Sequence, residues 1–508
     1  MTGVAFVKGA WLAMRIHLSD LLSTAAVIVG SVAILSRIRQ GRRQERREFL
    51  AAQATGQPRR RIVVVGVGFG GLAALNRLGE LVGDDPRTDV LLLDRQNYHL
   101  FTPLLYQVAT GGVDPVSLAY PARTIVRDRE FRFNEETVRA VDLAKRELET
   151  ETGPLGFDSL ILAPGSATNF FGMADAEEYS LPLKWMNDGI RIRNQVISAF
   201  EQADREPAPD HRQALLTFVI VGGGATGVEL AASLSDMIFT TLLPNYPTIT
   251  PDDVRPVLVE ARGTLLPGWN ARMGETAGAH LTHHRVQVLL NTTVSHVSED
   301  AVELGNGEHL PTATVIWTAG VRAEDLVATL PGEKERDGRV HVDQNLELPG
   351  HPGVFVVGDA AAVVLPGAER PMPPTAWAAI GQGRAAADNA VRRLREQAPR
   401  AFWMKNPGDL VSLGRGAAAA DIRGIFFDGL AGWLVRRGVY LTNLVGFRNR
   451  LLVALDWLFV TFHHRTIVSF AQPRPAPAAV APPTRLHPRA ARPSAVAAAE
   501  AREERRAG

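Results

Sequence analysis

Two short glycine patterns in the sequence have the spacing that suits a bound phosphate group. They span residues 66–71 and 222–227, and each reads Gly-x-Gly-x-x-Gly. Each follows a run of apolar residues, 62–65 or 218–221, which is typical of a buried strand. Glycine permits a tight turn from strand into helix, so the backbone can approach a pyrophosphate at the positive helix N-terminus. Both patterns together predict two dinucleotide sites.

An acidic residue ends the strand that follows each glycine pattern. These residues are Asp94 and Glu260. A carboxylate at this point accepts hydrogen bonds from ribose hydroxyls and repels a 2′-phosphate. The second site is therefore expected to prefer NADH to NADPH, although Arg262 leaves that preference open. Glu260 follows its glycine pattern by more than the usual ~20 residues, which predicts an elongated helix or an insertion at 244–251.

A third acid follows another apolar run. Residues 353–357 are predicted to form a buried strand, and Gly358 and Asp359 come directly after it. Open α/β sheets bind ligands at the carboxyl ends of their strands, so Asp359 is predicted to bind the sugar-alcohol chain of a cofactor. A helix N-cap is its alternative role, and the two roles are compatible. Similar strands at 157–165 and 314–320 are places where the chain could cross between two domains.

The composition excludes several kinds of redox chemistry. The chain has 508 residues, a formal net charge of +1, 46% hydrophobic residues and no cysteine. Disulfides, thiolate metal sites, iron–sulfur clusters and dithiol relays are therefore excluded, and so are disulfide reductases that use a cysteine pair. No metal site is predicted. The length predicts about three domains, and the net charge gives no reason to expect a nucleic-acid partner.

The N-terminal region contains an uncharged apolar stretch at 21–36, followed by arginines. As a helix it would measure about 24 Å, against a hydrocarbon core of about 30 Å. It is predicted to be a membrane segment that leaves the rest of the chain in the cytoplasm, and the alternatives are a wrongly assigned start of the sequence or a soluble helix.

The C-terminal region has a second apolar stretch, 451–462, which is interrupted by Asp456 and flanked by arginines. This pattern favours a helix that lies in the lipid headgroup plane, with a core helix as the alternative. The proline- and alanine-rich segment 471–508 is expected to be disordered.

Several motifs are longer and more specific than the glycine patterns. They are the segment 94–112, which includes Phe101-Thr-Pro-Leu-Leu-Tyr-Gln107, with Leu181-Pro-Leu-Lys184, Trp317-Thr-Ala-Gly320, Gly358-Asp359 and Gly446-Phe-Arg-Asn-Arg-Leu-Leu452. Together with both glycine turns, they resemble type II NADH dehydrogenases, the single-subunit, membrane-associated NADH:quinone oxidoreductases. The resemblance covers about 61–470.

This resemblance implies an α/β fold with two Rossmann-like dinucleotide-binding domains and a C-terminal helical region that associates with the membrane. The NAD domain is inserted into the FAD domain. The expected segments are an apolar helix with a basic flank at 1–58, the FAD domain at 59–190 and 329–398, the NADH domain at 191–328, the membrane-associating region at 399–470 and a tail at 471–508. The protein is expected at the cytoplasmic face of the cell membrane, in contact with lipid and quinone. Homodimer formation is left open.

The resemblance also implies roles for residues at matching positions. FAD would be held by Gly66, Gly68, Gly71, Asp94, Pro103, Leu104, Gly358 and Asp359. NADH would be held by Gly222, Gly224, Gly227, Glu229 and Glu260. An apolar core role is the alternative for Leu104. Glu229 is the one candidate for a catalytic proton donor, with helix capping or lining of the nicotinamide site as its alternatives.

Two departures from the family pattern concern the acceptor site and a strand end. Where the family has Ala-Gln-x-Ala-x-Gln at the quinone pocket, this chain reads Ala376-Trp377-Ala-Ala-Ile-Gly381-Gln382. Trp377 could stack on a quinone ring or fill the pocket, and Gln382 could replace a lost hydrogen bond from one position away. Pro164 stands where the family usually has threonine, which weakens the inference of a flavin contact there.

The predicted function is the FAD-dependent oxidation of NADH with transfer of electrons to a membrane quinone, without proton pumping. Two alternatives stay open. One is an NADH-dependent flavoprotein reductase of a soluble electron-carrier protein, which the changes at Trp377 and Gly381 favour. The other is a membrane-tethered, NADH-binding regulatory protein.

Overall fold

The computed structural model describes residues 59–462 and, beyond them, residues 465, 468 and 469. The predicted membrane segment 21–36 and the predicted tail 471–508 lie outside the described residues. The strands, in chain order, are β1 Arg60–Val65, β2 Thr88–Asp94, β3 Tyr98–Leu100, β4 Ala119–Pro121, β5 Arg132–Glu135, β6 Val138–Asp142, β7 Glu147–Thr150, β8 Gly153–Gly156, β9 Ser159–Leu162, β10 Ser166–Thr168, β11 Leu181–Pro182, β12 Thr217–Val221, β13 Arg255–Val259, β14 Gln287–Leu289, β15 Val294–Val297, β16 Ala301–Leu304, β17 His309–Pro311, β18 Thr314–Trp317, β19 Val321–Ala323, β20 Val340–His341, β21 Val354–Val356, β22 Ala361–Ala362, β23 Asp409–Ser412, β24 Ala418–Ile422 and β25 Ile425–Phe427.

The α-helices, in chain order, are α1 Phe69–Val82, α2 Leu105–Ala109, α3 Pro115–Leu118, α4 Ala122–Arg127, α5 Ala174–Tyr179, α6 Met186–Ala203, α7 Pro209–Leu215, α8 Ala225–Met237, α9 Ala271–His283, α10 Ala376–Leu394, α11 Gly429–Asn443 and α12 Phe447–Phe462. Short 3₁₀ turns lie at Thr102–Leu104, Leu243–Asn245, Asp325–Thr329 and Gly358–Ala360, and a π turn lies at Ile238–Leu242. Within residues 59–462, none of these helices is long and apolar enough to cross a bilayer.

The first sheet has five parallel strands in the order β21-β9-β1-β2-β5. Its central strand β1 is apolar and buried over residues 63–65, as expected for a parallel strand that is covered on both faces. The register places Val65 opposite Leu93, so the first glycine turn and Asp94 lie at the same edge of the sheet. Helix α1 leaves this edge and packs closely on α10, since a Cβ at Gly383 would overlap the Gly70 carbonyl oxygen.

The second sheet repeats this plan, with five parallel strands in the order β11-β18-β12-β13-β14. Its central strand β12 leads into the second glycine turn and then into α8. Val221 pairs with Val259, which places the turn and Glu260 at one edge of the sheet. In each half, an antiparallel three-stranded sheet follows the strand at one edge of the parallel sheet: β6–β8 follows β5, and β15–β17 follows β14.

The two sheets are joined by a pair of short antiparallel strands, β10 and β19. The chain passes to the second sheet after β9 and returns after β18, the two runs that the sequence indicated as crossings. Strand β11 pairs with β18, so Leu181–Pro182 already belongs to the second sheet. That pairing favours a first domain boundary earlier than 190, and the domain limits themselves stay a prediction.

The long spacing between the second glycine turn and Glu260 has a simple structural origin. Helix α8 continues through the π turn and a 3₁₀ turn to Asn245, and β13 begins only at Arg255. The elongation predicted around 244–251 is therefore present.

The C-terminal region combines the antiparallel strands β23–β25 with helices α11 and α12. One face of α12 is buried, because Val453 and Trp457 are 0% and 4% exposed and pack in a cluster with Leu104 and Leu105. Its other face exposes Leu451, Leu455, Leu458 and Phe459. The alternative of a core helix is therefore correct for one face of α12 and not for the other.

Candidate dinucleotide sites

The two glycine turns are built in the same way. Gly66 has φ of 94° and Gly222 has φ of 109°, both in the left-handed region that favours glycine. A Cβ at Gly66 would overlap the carbonyl oxygen of Ala163, and a Cβ at Gly222 would come within 2.6 Å of the Ala319 Cα atom. Glycine is therefore required where each turn begins.

The later glycines of the two turns also correspond. A Cβ at Gly71 would overlap the carbonyl oxygen of Gly66, and a Cβ at Gly227 would overlap that of Gly222. Gly68 and Gly224 are different, because a Cβ there would meet no atom within 4 Å. These two residues are the N-caps of α1 and α8, and neither helix has a side-chain cap. Each turn therefore leaves space at the positive end of a helix, which fits a pyrophosphate.

The two acidic residues at the strand ends brace their own turns. Asp94 accepts the Val67 N–H through Oδ2 at 2.6 Å and the Gln96 N–H through Oδ1 at 2.7 Å. Glu260 accepts the Gly223 N–H through Oε2 at 2.6 Å and the Arg262 N–H through Oε1 at 2.8 Å. Burial raises the pKa of Asp94 even though both N–H groups favour its ionised form. Each carboxylate is thus fixed beside its turn, at the position where a ribose is expected.

Asp359 joins a small polar cluster between the two sheets. Its Oδ2 accepts the Ser166 hydroxyl at 2.6 Å, and the Lys184 ammonium lies 2.6 Å from that hydroxyl and 3.7 Å from Asp359. The N-cap alternative for Asp359 is wrong, because the residue that caps the 3₁₀ turn Gly358–Ala360 is Val357. The cluster brings the third predicted acid next to β10, where the chain crosses between the sheets.

Leu104 and Pro103 lie in the 3₁₀ turn that precedes α2. Leu104 is fully buried in an apolar cluster, so the core role left open for it is present, whereas Pro103 is partly exposed. Contact of either residue with a flavin stays a prediction.

A buried histidine lies next to the first glycine turn. His99 is 1% exposed, and its Nδ1 donates to the Val67 carbonyl oxygen at 2.7 Å. Its Nε2 is buried and has no hydrogen-bond partner within the described part of the chain. Burial lowers the pKa of His99 to about 4, so the ring is neutral and Nε2 is a free acceptor. A buried acceptor without a partner is costly, and a hydroxyl or N–H group of a cofactor bound at this turn would satisfy it.

Glu229 does not cap α8, because Gly224 does, and that alternative is wrong. The Glu229 side chain is buried, and its Oε1 accepts the Ser412 N–H at 2.9 Å and Arg436 Nη2 at 2.7 Å. Burial raises the pKa of Glu229. The Arg436 guanidinium also lies 4.2 Å from the ring centroid of Tyr440. Glu229 therefore connects the second glycine-turn helix to α11, and its contact with NADH stays a prediction.

Comparison with known proteins identifies the family. A model described as "Pyridine nucleotide-disulphide oxidoreductase" matches residues 60–383, and a model described as "NDH2 C-terminal domain" matches residues 407–466. A type II NADH:quinone oxidoreductase of Mycobacterium tuberculosis is 34% identical over 428 residues, which cover 81% of this chain and 90% of that protein. This chain belongs to the type II NADH:quinone oxidoreductase family.

A further relative is similar in sequence, and two solved structures are similar in fold. A probable NADH dehydrogenase of Dictyostelium discoideum is 30% identical, over 81% of this chain and 91% of its own. NDH2 from Plasmodium falciparum, solved in complex with NADH, superposes with a TM-score of 0.73 at 18% identity and covers 81% of this chain and 100% of that chain. The sulfide:quinone oxidoreductase of Aquifex aeolicus superposes with a TM-score of 0.62 at 17% identity, over 80% and 96% of the two chains. At such identities the structures show the fold alone.

The residues that stand in place of the type II NADH:quinone oxidoreductase quinone motif lie on α10. Gln382 is 2% exposed, and its Oε1 accepts the Gly358 N–H at 2.7 Å. This bond fixes the turn that carries Asp359 and engages the amide oxygen of Gln382. A hydrogen bond from Gln382 to a quinone stays a prediction. A Cβ at Gly381 would overlap Met404 Sδ, so that position is filled by the neighbouring segment. Trp377 and Ala376, at the start of the helix, are partly exposed and remain the candidates.

The sequence analysis predicted no role for four residues of these sites. They are Ser166, His99, Ser412 and Arg436. His99 and Arg436 stand inside segments that the sequence did single out, 94–112 and the basic C-terminal stretch. Their roles follow only from their hydrogen-bond partners, which are Val67 for His99 and Glu229 for Arg436. These partners lie in other segments of the sequence.

Proposed function

We propose that this protein oxidises NADH through a bound FAD and passes the electrons to a membrane quinone. One observation carries the proposal: a single chain without cysteine contains two parallel sheets, each of which presents an open glycine turn and a carboxylate at the same edge. FAD, when bound, supplies the chemistry by accepting a hydride from NADH and giving two electrons to the quinone.

The first half of the fold suits the flavin. The N-terminus of α1 at Gly68 would hold the pyrophosphate, and Asp94 would accept from a ribose hydroxyl. The cluster around Asp359 offers a carboxylate, a hydroxyl and an ammonium for the sugar-alcohol chain. His99 Nε2 provides an acceptor that has no partner among the residues that the structure describes.

The second half suits the nicotinamide dinucleotide. The N-terminus of α8 at Gly224 would hold its pyrophosphate, and Glu260 would accept from the ribose and repel a 2′-phosphate. Arg262 is exposed beside Glu260, so a modest use of NADPH is compatible with this arrangement. These residues bind and orient the coenzyme, and none of them has to transfer a proton for the hydride step.

The C-terminal helices are suited to contact with lipid. On α12 the exposed residues Leu451, Leu455, Leu458 and Phe459 lie at i, i+4, i+7 and i+8, which makes one apolar face. On α11, Leu430 and Leu434 are 62% and 59% exposed. Arginines accompany both helices, as in helices that bind the lipid headgroup region. We infer that this surface rests on the membrane that contains the quinone.

The test uses the purified flavoprotein. NADH is expected to bleach the flavin absorbance under anaerobic conditions, and a short-chain quinone is expected to restore it with steady NADH turnover. A colourless protein that takes up no FAD would contradict the proposal. Bleaching followed by reduction of a soluble carrier protein but of no quinone would support the carrier-reductase alternative, and NADH binding without bleaching would support the regulatory one.

Two variants locate the acceptor and the membrane surface. Trp377→Gln restores the family residue and is expected to lower KM for the quinone without changing flavin bleaching by NADH. Leu455→Lys is expected to release the protein from lipid vesicles, whereas Val364→Lys, the same change at an exposed residue outside the C-terminal helices, is expected to leave vesicle binding unchanged.

A further inference from the structure

A pocket lined by arginine and tryptophan lies where the C-terminal helices meet α2 and α8. Its lining includes Arg415, Arg436, Arg437, Arg465, Trp433 and Trp457. The proposed function gives this pocket no role. Buried or partly buried charges are costly unless they are paired. The four guanidinium groups around this cavity therefore need negative partners.

Carboxylates of α8 balance two of the four arginines. Arg436 pairs with Glu229 at 2.7 Å, and Arg465 Nη2 lies 3.6 Å from Asp236 Oδ2. Arg465 also donates through Nη1 to the Ser233 carbonyl oxygen at 2.9 Å. Both carboxylates are therefore already engaged by these two side chains.

The other two arginines have no carboxylate partner within the described part of the chain. Arg415 donates to the Thr461 carbonyl oxygen. The Arg437 guanidinium lies between two indoles, 3.5 Å from the Trp433 ring centroid and 4.7 Å from that of Trp457. Burial, with a smaller effect of Arg436, lowers the pKa of Arg437 to about 10, so the group still carries its charge at neutral pH. In addition, Arg436 Nε is buried and finds no acceptor among residues 59–462. Arg415 is exposed to water, so the partly buried charge without a carboxylate partner is that of Arg437, and Arg436 Nε is a spare donor beside it.

The position of Arg437 indicates where an anion would come from. Leu430, Leu434 and Arg437 are spaced i, i+4 and i+7 along α11, so they share one side of the helix. Both leucines are exposed, and they belong to the surface that we infer to rest on lipid. An anion with acyl chains could place its chains against the leucines and its charged group against the guanidinium. The flanking tryptophans are typical of the membrane interface.

We propose that this pocket binds the phosphate headgroup of an anionic membrane lipid. Arg437 and Arg415 supply the charge, and Trp433 and Trp457 hold the Arg437 guanidinium in place by cation–π contact. This inference rests on the proposed membrane surface but not on the redox reaction. A neutral quinone ring would leave the partly buried charge of Arg437 unbalanced, so an anionic ligand suits the pocket better.

The experiment measures lipid binding by the full-length flavoprotein. The probe is dihexanoyl phosphatidylglycerol below its micelle concentration, titrated by calorimetry, with dihexanoyl phosphatidylcholine as the neutral lipid. Arg437→Gln is expected to weaken phosphatidylglycerol binding by about tenfold. Arg448→Gln removes the same charge from an exposed arginine on α12 outside the pocket, and it is expected to change binding by less than about twofold. Arg437→Lys, which keeps the charge, is expected to retain most of the affinity.

Three results would contradict the binding of a lipid headgroup in this pocket. Equal binding of phosphatidylglycerol by wild type and Arg437→Gln, with flavin content showing that both are folded, would overturn the proposal. Inorganic phosphate that binds as tightly as the lipid would show a free-phosphate site and overturn the choice of ligand. Displacement of the lipid by a short-chain quinone would show a quinone site instead. Flavin bleaching by NADH in detergent is measured separately, so its failure would count against the proposed function and leave the lipid result intact.

Discussion

The two halves of the dinucleotide fold share a turn but differ in the helix that follows it. Both turns have a left-handed first glycine, an open N-cap and a carboxylate that accepts the N–H of the residue directly after the first glycine. The helices then diverge. On α8, Glu229, Ser233 and Asp236 lie at i, i+4 and i+7, and all three are buried. The corresponding positions on α1 are Ala73, Arg77 and Glu80. Ala73 is buried, and Arg77 forms an ion pair with Glu80 at the surface.

The divergence shows how one motif serves two purposes. The small residues of α1 let it pack closely on α10, which completes the core of the first half. The polar stripe of α8 instead binds the C-terminal region, since Glu229 pairs with Arg436, Ser233 accepts from Arg465, and the Arg415 N–H donates to Asp236. The glycine turn determines where a pyrophosphate can lie, and the free face of its helix determines what else is attached to that site.

The largest effect is expected from the buried pair that only the second half contains. Arg436→Met leaves the Glu229 carboxylate buried without its partner, which is expected to cost about 3–5 kcal/mol of unfolding free energy. The double variant Glu229→Gln with Arg436→Met removes both charges and is expected to recover most of that loss. Urea unfolding followed by fluorescence measures both. Equal stability of the single variant and wild type would show that α11 is not anchored through this pair.

The sequence was sufficient for the features that both halves share. Each glycine turn and each acidic strand end is local, because a strand, a turn and the next strand fix the positions of Asp94 and Glu260 within a few dozen residues. Contacts between residues that are far apart in the sequence could not be predicted from such local patterns. Glu229 and Arg436 are 207 positions apart, and nothing in the spacing of either segment indicates that they meet.

Two further side chains have partners that the sequence does not indicate, for the same reason. The sequence suggests a quinone contact for Gln382, which stays a prediction, but it does not indicate that the Gln382 amide oxygen accepts the Gly358 N–H, 24 positions earlier. Asp359 was given an N-cap as its alternative role, but its actual partners are Ser166 and Lys184 from the crossing between the sheets. Side-chain roles depend on which elements the fold brings together, and a single sequence does not report that.

A second comparison tests whether the two turns are equivalent. Gly71→Ala and Gly227→Ala each place a methyl group against a carbonyl oxygen and are expected to destabilise the protein by about 1–3 kcal/mol. Gly68→Ala and Gly224→Ala have room for the methyl group, so their folding should be little changed while the pyrophosphate is pushed away. Gly68→Ala is expected to lose FAD on gel filtration, and Gly224→Ala is expected to keep FAD and raise KM for NADH about tenfold. The reverse pattern would contradict the assignment of the two halves.

The first half is expected to lose stability in acid because of His99. Burial lowers the folded-state pKa of His99 from its ordinary value of 6.5 to about 4, so its stabilising contribution is complete above 6.5 and decreases as pH falls below that value. Between pH 7 and pH 5 the loss is expected to be about 2 kcal/mol. His99→Gln keeps a donor for the Val67 carbonyl group but does not titrate, so its unfolding free energy should change less over this range. An exposed histidine variant, His309→Gln, serves as the control and should follow wild type.

The second half is expected to show a smaller pH dependence of opposite sign. The ion pair of His284 Nδ1 with Asp236 Oδ1, 3.3 Å apart, raises the folded-state pKa of His284 in spite of its burial. The contribution of His284 is therefore complete below its ordinary pKa of 6.5 and is lost as pH rises through the higher folded-state value. We expect less than about 1 kcal/mol, because the ring is partly exposed. The measurement is the difference in unfolding free energy between wild type and His284→Gln, which should be largest near pH 6 and shrink toward pH 8. If this difference in unfolding free energy grows with pH instead, Asp236 is held by Arg465 and the Arg415 N–H alone. The polar residues of α8 would then bind only the C-terminal region.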